Sequence, residues 1–459
     1  MFDIVTNVFG SDNELADECK LFSAYGGGRV EINASDEGAF SCTVTYDGKT
    51  RSFVGDMATD VAPRDKLFKR FVKRSVYRTL SEHFGVALPW GSLTGVRPTK
   101  LAYERMRAGG TVRDAVEYLV REYDVSRVKA EVIGRILEAQ ADAIASAKGK
   151  ADLYVHIPFC NGRCAYCSFP SADMARLGHL LPAYLKALER EIRAVKDMMA
   201  RDDRAIHSVY VGGGTPSVLD AEQISSLLDA IGVRDTEFTF EAGRPDSISP
   251  EKLDALAEGG VTRVCVNPQS LNDATLTAIG RRHKAEDFFA AFDAVRKRNF
   301  DINVDIIAGL ADEGMAEFSR TVDGVAALRP ENLTVHTLSS KRGSDLAGSD
   351  PACADIARMT EYAAERLKDD YAPYYLYRQK YMAGNLENTG YALPGKICVN
   401  NITVMEEILP VYACGAGSIS KNITSEGVIT REASIKDVAL YLERFDERLA
   451  RKSEFFRTT

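Results

Sequence analysis

Cys160, Cys164 and Cys167 stand in a C-x3-C-x2-C spacing within Cys160-Asn161-Gly162-Arg163-Cys164-Ala165-Tyr166-Cys167. They follow a short apolar run, Leu153-Tyr154-Val155-His156-Ile157, that reads as a strand. The loop is too short for a disulfide framework and holds an odd number of thiols. A structural zinc site takes a fourth Cys or His at a set distance, and His156, the nearest candidate, reads as part of the strand. Three thiolates on one tight loop suit three irons of a [4Fe–4S] cube and leave the fourth iron open. Ferredoxin-type clusters take four cysteines. An iron with an open position can bind and reduce something, so the spacing points to catalysis as well as electron storage.

Further chemistry-bearing residues recur at the ends of apolar runs. Gly212-Gly213-Gly214-Thr215-Pro216-Ser217 follows Val209-Tyr210-Val211. It is neither G-x-G-x-x-G nor a Walker loop, but glycines let backbone groups approach a ligand closely. Glu241 ends the next run, Asn267 and Gln269 follow the one after, and Arg281 and His283 come next. Asp305 lies inside Asn303-Val304-Asp305-Ile306-Ile307, where an acid is costly unless paired or ligand-bound. Singly, each reads as an ordinary loop residue. Their recurrence at one predicted edge marks a site.

The elements that must position them read as strand, loop, helix, repeated. Strands are expected at 152–157, 206–211, 236–242, 262–266, 301–307 and 331–337, with helical patterns between them. Six such units imply parallel pairing through βαβ crossovers. They do not close the usual eight-stranded ring. An α/β protein with an open, partial (β/α)6 barrel is expected over 149–340, its cysteine loop at the C-terminal strand edge where α/β sheets keep their chemistry. Residues 1–148 read as a separate α/β domain. It has a hairpin over 40–54 turning at Asp47-Gly48, a helix over 65–84 and another over 125–147. The basic face of the 65–84 helix (Lys66, Lys69, Arg70, Lys73, Arg74) reads as solvated. A boundary is expected at Lys148-Gly149-Lys150. After 340 the rhythm is lost: 352–370 looks helical, 373–381 extended and 436–452 helical, which suggests a small C-terminal domain over 341–459 that covers the substrate.

The bulk numbers narrow the class. With 459 residues and a formal net charge of -8, general nucleic-acid binding is not expected. There is no apolar run long enough to span a bilayer and no signal-peptide pattern. Cys19, Cys42, Cys265, Cys353, Cys398 and Cys414 are scattered, as in a reducing cytosol, and each reads as a small buried hydrophobe. A cytoplasmic protein is expected.

Tyr154 through Cys167, taken with the Gly-Gly-Gly-Thr-Pro loop, resembles the radical S-adenosylmethionine (radical SAM) superfamily. More narrowly it resembles the oxygen-independent coproporphyrinogen III oxidase group. Leu93-Thr94-Gly95-Val96-Arg97-Pro98, together with Tyr374-Tyr375-Leu376-Tyr377-Arg378-Gln379-Lys380 and Asn385-Leu386-Glu387-Asn388, resembles the HemZ branch of that group. The resemblance implies a radical-SAM barrel in which Cys160, Cys164 and Cys167 hold a [4Fe–4S] cluster. Tyr154, Gly213 and Glu241 match residues that hold SAM on the open iron. Tyr166, Gly214, Thr215, Gln269, Arg281 and Asp305 match contacts to a second SAM in the best-known branch. That branch continues Cys-Gly-Cys after the third cysteine, whereas here the sequence is Cys167-Ser168-Phe169-Pro170.

The implied reaction is reductive cleavage of SAM to methionine and a 5′-deoxyadenosyl radical. The radical removes a hydrogen from a propionate β-carbon, and loss of carbon dioxide and one electron leaves a vinyl group. Two rounds convert coproporphyrinogen III to protoporphyrinogen IX. The implied partners are a tetrapyrrole substrate and a reducing electron donor that the sequence does not identify. Lys341, Arg342, Arg378 and Lys380 read equally as carboxylate clamps and as surface charge. Tyr374, Tyr375 and Tyr377 read as strand packing or as a tetrapyrrole face. Two other readings share the scaffold: a haem-binding chaperone or insertion factor, and a radical SAM methyltransferase acting on another tetrapyrrole.

Overall fold

The computed structural model describes residues 1–457 apart from 9–11, 56–61, 96, 170, 340–352, 380–381 and 425–426. The chain forms two compact units. One comprises Met1–Glu138 with Leu376–Glu387, the other Ala139–Tyr375 with Asn388–Thr459.

The second unit is built on an eleven-stranded sheet. Its strands are β1 (Lys150–Ile157), β2 (Ala205–Gly213), β3 (Glu237–Gly243), β4 (Arg263–Val266), β5 (Asp301–Ala308), β6 (Asn332–Thr337), β7 (Ala372–Tyr377), β8 (Asn388–Ala392), β9 (Val411–Cys414), β10 (Ile419–Ile423) and β11 (Ile429–Ala433). The order across the sheet is β7-β8-β6-β5-β4-β3-β2-β1-β9-β10-β11. Strands β1 to β6 lie side by side in chain order and pair parallel throughout. This is the expected (β/α)6 run. The apolar runs become strands because helices cover the sheet and leave little polar surface; all four residues of β4 are buried. The helix Leu181–Arg201 buries Leu185, Leu188, Ile192, Val195 and Met199, the stripe that its sequence spacing sets out. Asp220 and Gln223 form a capping box, and Ser249 and Asn272 cap later helices, so the loops that leave the strand ends are pinned.

The fold departs from expectation beyond these six strands. The expected boundary at 340 lies outside the described residues; residues from 388 onward share the barrel's compact unit, and their strands extend its sheet at both edges. β8 pairs antiparallel with β6. β9 pairs parallel with β1, and β10 and β11 follow antiparallel. Four-residue β9 is too short to show a period, which hid it in the sequence. The expected 436–452 helix is two helices, Val438–Glu443 and Phe445–Arg457. Tyr374 and Tyr375 are buried strand residues; Tyr375 Oη lies 3.0 Å from Thr334 Oγ1, and Tyr374 Oη accepts from Asn401 Nδ2. Among the described residues no helix is long and apolar enough to cross a membrane.

The first unit carries a four-stranded sheet of Phe2–Thr6, Gly28–Ser35, Phe40–Tyr46 and Lys49–Gly55, in that order. Its last two strands are the expected hairpin. Asp47 and Gly48 both take positive φ, 49° and 72°, as a tight hairpin turn requires. The helix Arg64–Phe84 lays Leu67, Phe71, Val72, Val76 and Leu80 into the same core as Val30, Ile32, Phe40 and Val44. Its basic face is not simply solvated. Arg70 is buried, donates to Tyr118 Oη at 2.5 Å and stacks over the rings of Tyr118 and Tyr123. Arg74 meets Glu122 at 3.3 Å, and Lys73 donates to Thr94 Oγ1 at 2.6 Å. The helix Val112–Tyr123 supplies that acid and those rings. The expected 125–147 helix is Arg127–Ala147.

Arg378 is a scaffold residue. It is buried, lies 5.2 Å over the Trp90 ring and donates to the carbonyls of Leu93, Gly95, Asn385 and Leu386. Trp90 Nε1 in turn donates to Glu387 at 2.7 Å, and Lys129 pairs with the same carboxylate. A guanidinium held in this way is not open to a substrate carboxylate. Lys341, Arg342 and Lys380 lie outside the described residues. Arg378→Met strands these carbonyls and is expected to cost about 3 kcal/mol or more, read by urea unfolding. An unchanged unfolding midpoint would contradict the scaffold role.

Candidate active site

The cysteine loop is tied at its base. Cys160 ends a two-residue strand, Phe159–Cys160, paired parallel with Ala172–Asp173. Ala172 N–H donates to the Pro158 carbonyl at 2.7 Å. Within the loop, Cys167 N–H donates to the Cys164 carbonyl at 3.0 Å and Arg163 Nη2 to the Cys167 carbonyl at 3.2 Å. Ala165 N–H reaches the Ile279 carbonyl at 3.0 Å, which anchors the loop to the next layer of the site. The three thiols are half-buried and free, whereas Cys19, Cys42, Cys265, Cys398 and Cys414 are fully buried. Among the described residues no three or more His, Cys, Asp or Glu side chains gather as a site for a metal ion. Three soft, reachable thiols on one loop are nevertheless the donor set that iron–sulfur clusters take, and the residues present fit such a group.

The glycine loop is pressed against this one. Gly214 N–H donates to the Ile157 carbonyl and Thr215 N–H to the Phe159 carbonyl, each at 2.8 Å. A Cβ on Gly214 would stand 2.6 Å from the Phe159 oxygen, so no other residue fits. Gly213 takes φ +110°, and a Cβ there would overlap the His156 ring. Thr215 Oγ1 lies 3.5 Å from Cys160 Sγ. Gly214 and Thr215 thus serve the site mainly through position, their N–H groups being committed to β1 and its continuation.

Two carboxylates share the strand ends. Gly213 N–H donates to Glu241 Oε2 at 3.3 Å. Burial pushes Glu241 up to about 7; the charge of Asp305 adds to this and the Gly213 N–H opposes it. Burial also acts against ionised Asp305, but His336, Asn303 and Thr334 outweigh it and hold this carboxyl below its usual range. His336 Nε2 stands 3.6 Å from Asp305 Oδ2, and Asn303 Nδ2 donates to Oδ1 at 3.1 Å. The acid inside an apolar strand is therefore paired, as its sequence position required. Tyr154 stacks on Tyr210 at 6.1 Å; burial, then the Glu241 charge, raises its phenol.

On the other flank Gln269, with φ +68°, bridges β5 through its N–H to the Asp305 carbonyl and its carbonyl to Ile307 N–H. Its buried Oε1 has no hydrogen-bond partner. Arg281 is buried. Its Nη1 donates to the Asn267 carbonyl at 2.5 Å and its Nη2 to Tyr166 Oη at 3.0 Å, while Nε is unpartnered. Tyr166 also packs on Leu276, Ile279, Ile307, Leu310 and Leu338.

The structure thus brings Cys160, Cys164, Cys167, Tyr154, Tyr166, Gly213, Gly214, Thr215, Glu241, Gln269, Arg281 and Asp305 to one strand edge of the second unit. It also places residues to which the resemblance assigned no role, among them His283, which the sequence already put at this edge. Arg244 is clamped to Asp246 at 3.0 Å and donates to the Asn161 carbonyl of the cysteine loop at 3.4 Å. His283 is buried with neither ring nitrogen hydrogen-bonded, and burial, then Arg281, pushes it down to about 4. His156 packs between Gly213 and Gly417. The signal for the last contact was present: Gly415-Ala416-Gly417-Ser418 follows Val411-Tyr412-Ala413-Cys414 much as the first glycine loop follows Val209-Tyr210-Val211.

The pattern of the radical SAM superfamily matches residues 154–324. The oxygen-independent coproporphyrinogen-III oxidase-like protein HemZ of Bacillus subtilis (strain 168) is 34% identical, over 97% of this chain and 95% of its own. The heme chaperone HemW of the same organism is 33% identical over 40% of this chain and 49% of its own. Among solved structures, the Escherichia coli coproporphyrinogen III oxidase HemN, a radical SAM enzyme, superposes with a TM-score of 0.53 at 23% identity. That match covers 68% of this chain and 73% of HemN.

The Glu241 environment predicts a pH signature. A carboxyl whose pKa rises from 4.5 to about 7 on folding binds its proton more tightly when folded. Its contribution to stability is complete below about 4.5 and is lost as pH climbs through about 7. Between pH 4.5 and 8, wild-type stability in urea is expected to fall by roughly 3 kcal/mol relative to Glu241→Gln. Parallel pH curves would contradict it.

Proposed function

Because this chain belongs to the radical SAM superfamily, in the family of oxygen-independent coproporphyrinogen-III oxidase-like proteins, we propose that it oxidatively decarboxylates propionate side chains of coproporphyrinogen III to vinyl groups, giving protoporphyrinogen IX. Its cofactors are a [4Fe–4S] cluster and S-adenosylmethionine. Bound together, they supply a 5′-deoxyadenosyl radical able to take a hydrogen atom from an unactivated carbon.

The chain's own residues hold and shield that chemistry. Cys160, Cys164 and Cys167 are the cluster ligands. Tyr154, the Gly213 backbone and Glu241 form the first SAM site, with Glu241 as an acceptor fixed by the Gly213 N–H. Tyr166, Gly214, Thr215, Gln269, Arg281 and Asp305 form the adjoining polar wall. In that wall Tyr166 and Arg281 are joined, and Asp305 is held by His336 and Asn303. The open Gln269 Oε1 and Arg281 Nε suit a polar ligand. A reducing protein or small-molecule donor must deliver one electron to the cluster, an electron acceptor must take the electron that the substrate gives up with carbon dioxide, and the tetrapyrrole is the substrate.

The observation that carries this reading is the nearly full-length match to an oxidase-like relative, joined to the meeting of the cysteine loop, the glycine loop and Glu241 at one edge. Haem binding by a chaperone on the same scaffold is the second reading. The matches to heme chaperones favour it, although the Bacillus subtilis one covers less than half of the chain. The test is anaerobic reconstitution with iron, sulfide, SAM and a reductant, then chromatography of coproporphyrinogen products. Vinyl-bearing products with carbon dioxide release are expected. Tight stoichiometric haem binding without vinyl product would replace this reading by the chaperone. A methylated product would replace it by a methyltransferase.

A further inference from the structure

Strand β9 runs parallel to β1 and ends at the site's edge. The 415–418 loop that follows lies directly against His156. A Cβ on Gly415 would stand 2.6 Å from the His156 carbonyl oxygen, and one on Gly417 would stand 3.4 Å from ring Cε1. The ring's other side fills the space beside Gly213, whose N–H holds Glu241. Burial pushes His156 down to about 4, with the Ala416 backbone partly opposing, so the ring is neutral at pH 7.

Backbone bonds from Gly417 N–H to the Ile435 carbonyl and from Ser434 N–H to the Ser418 carbonyl, each at 2.8 Å, hold the far side of this loop, and a buried carboxylate holds its start. Glu191, from the helix Leu181–Arg201, accepts at Oε2 from Gly415 N–H at 2.7 Å and from Tyr441 Oη at 2.6 Å. Its Oε1 receives Lys452 Nζ at 2.5 Å, and that ammonium also donates to the Ala413 carbonyl. Tyr184, on the same helix, donates to the His156 carbonyl at 2.7 Å and accepts from Ala416 N–H at 3.1 Å. Glu191 is 4% exposed, Lys452 2%, Tyr441 1% and Tyr184 0%. Two charges this deep gain little net stability over an apolar pair of the same shape. What they provide is direction: the Ala413 carbonyl and the Gly415 N–H, at the end of β9 and the start of the loop, are both held by this pair.

We propose that Glu191 and Lys452 are positioning residues of the cofactor site: they lock the 415–418 loop to the C-terminal helix and thereby fix His156 against Gly213. The inference rests on the reading that SAM lies beside Gly213 and Glu241. The β9 end is a seventh wall of that site, and the helix Phe445–Arg457, remote in sequence from the cysteines, sets its geometry.

The test uses the anaerobically reconstituted full chain and measures SAM affinity by equilibrium binding, iron and sulfide content, and thermal midpoint. Lys452→Met is expected to raise the SAM dissociation constant about tenfold or more while iron and sulfide per chain stay at wild-type levels. E191Q/K452M removes both charges and keeps an acceptor for Gly415. It is expected to melt near wild type and to show the same weakening, which preserves the test should Lys452→Met fail to fold. Leu227→Ala, a cavity in the barrel helix Ala221–Ile231, controls for lost stability and is expected to bind SAM as wild type does. Wild-type SAM affinity in both charge variants, or equal weakening in Leu227→Ala, would overturn the inference. Failure of the wild-type chain to bind SAM would overturn the site reading and this inference with it.

Discussion

Two backbone hydrogen bonds, from Gly214 N–H to the Ile157 carbonyl and from Thr215 N–H to the Phe159 carbonyl, set the geometry on which the site depends. They continue the β1–β2 ladder past the strands and into the loops, so the glycine loop cannot move independently of the cysteine loop. Side chains would prevent this approach, and hence Gly213 and Gly214 are glycines. Once the two loops are joined, Thr215 lies at Cys160 and the Gly213 N–H points at Glu241. The parallel sheet beneath brings β3, β4 and β5 to the same edge, because each crossover helix returns the chain in the same direction.

The charges at that edge are sorted by environment. Asp305 is kept ionised by His336 and Asn303, while Glu241, with a single backbone donor, sits near neutrality in its proton affinity. Behind the cysteine loop two buried guanidiniums, Arg244 and Arg281, hold the carbonyls of Asn161 and Asn267. The loop is thus backed by fixed positive charge and fixed backbone, an environment suited to a cluster that must accept an electron and return to one geometry.

The six parallel strands were legible to within two residues at each end, since buried parallel strands are continuous apolar runs and their helices carry regular stripes. The cysteine triplet, the glycine loop and Glu241 stood out because spacing and place agreed, and the structure sets them at one strand edge. Other features were hidden for physical reasons. β9 has only four residues, and its pairing with β1 joins segments far apart in the chain. Arg70, Arg74 and Arg378 look like surface charge in one dimension, yet aromatic rings, an acid and carbonyls from distant segments enclose them. Lys452 reads as one more cation on a polar helix, and only the fold reveals its partner, Glu191.

The central claim is that the three-cysteine loop carries a cluster whose open iron takes S-adenosylmethionine. Electron paramagnetic resonance of the reconstituted, chemically reduced chain, recorded before and after SAM is added, tests it most directly. The account predicts a reduced [4Fe–4S] signal whose g-values shift when SAM binds. A cluster signal indifferent to SAM, or no cluster signal from chain that holds iron and sulfide, would contradict it.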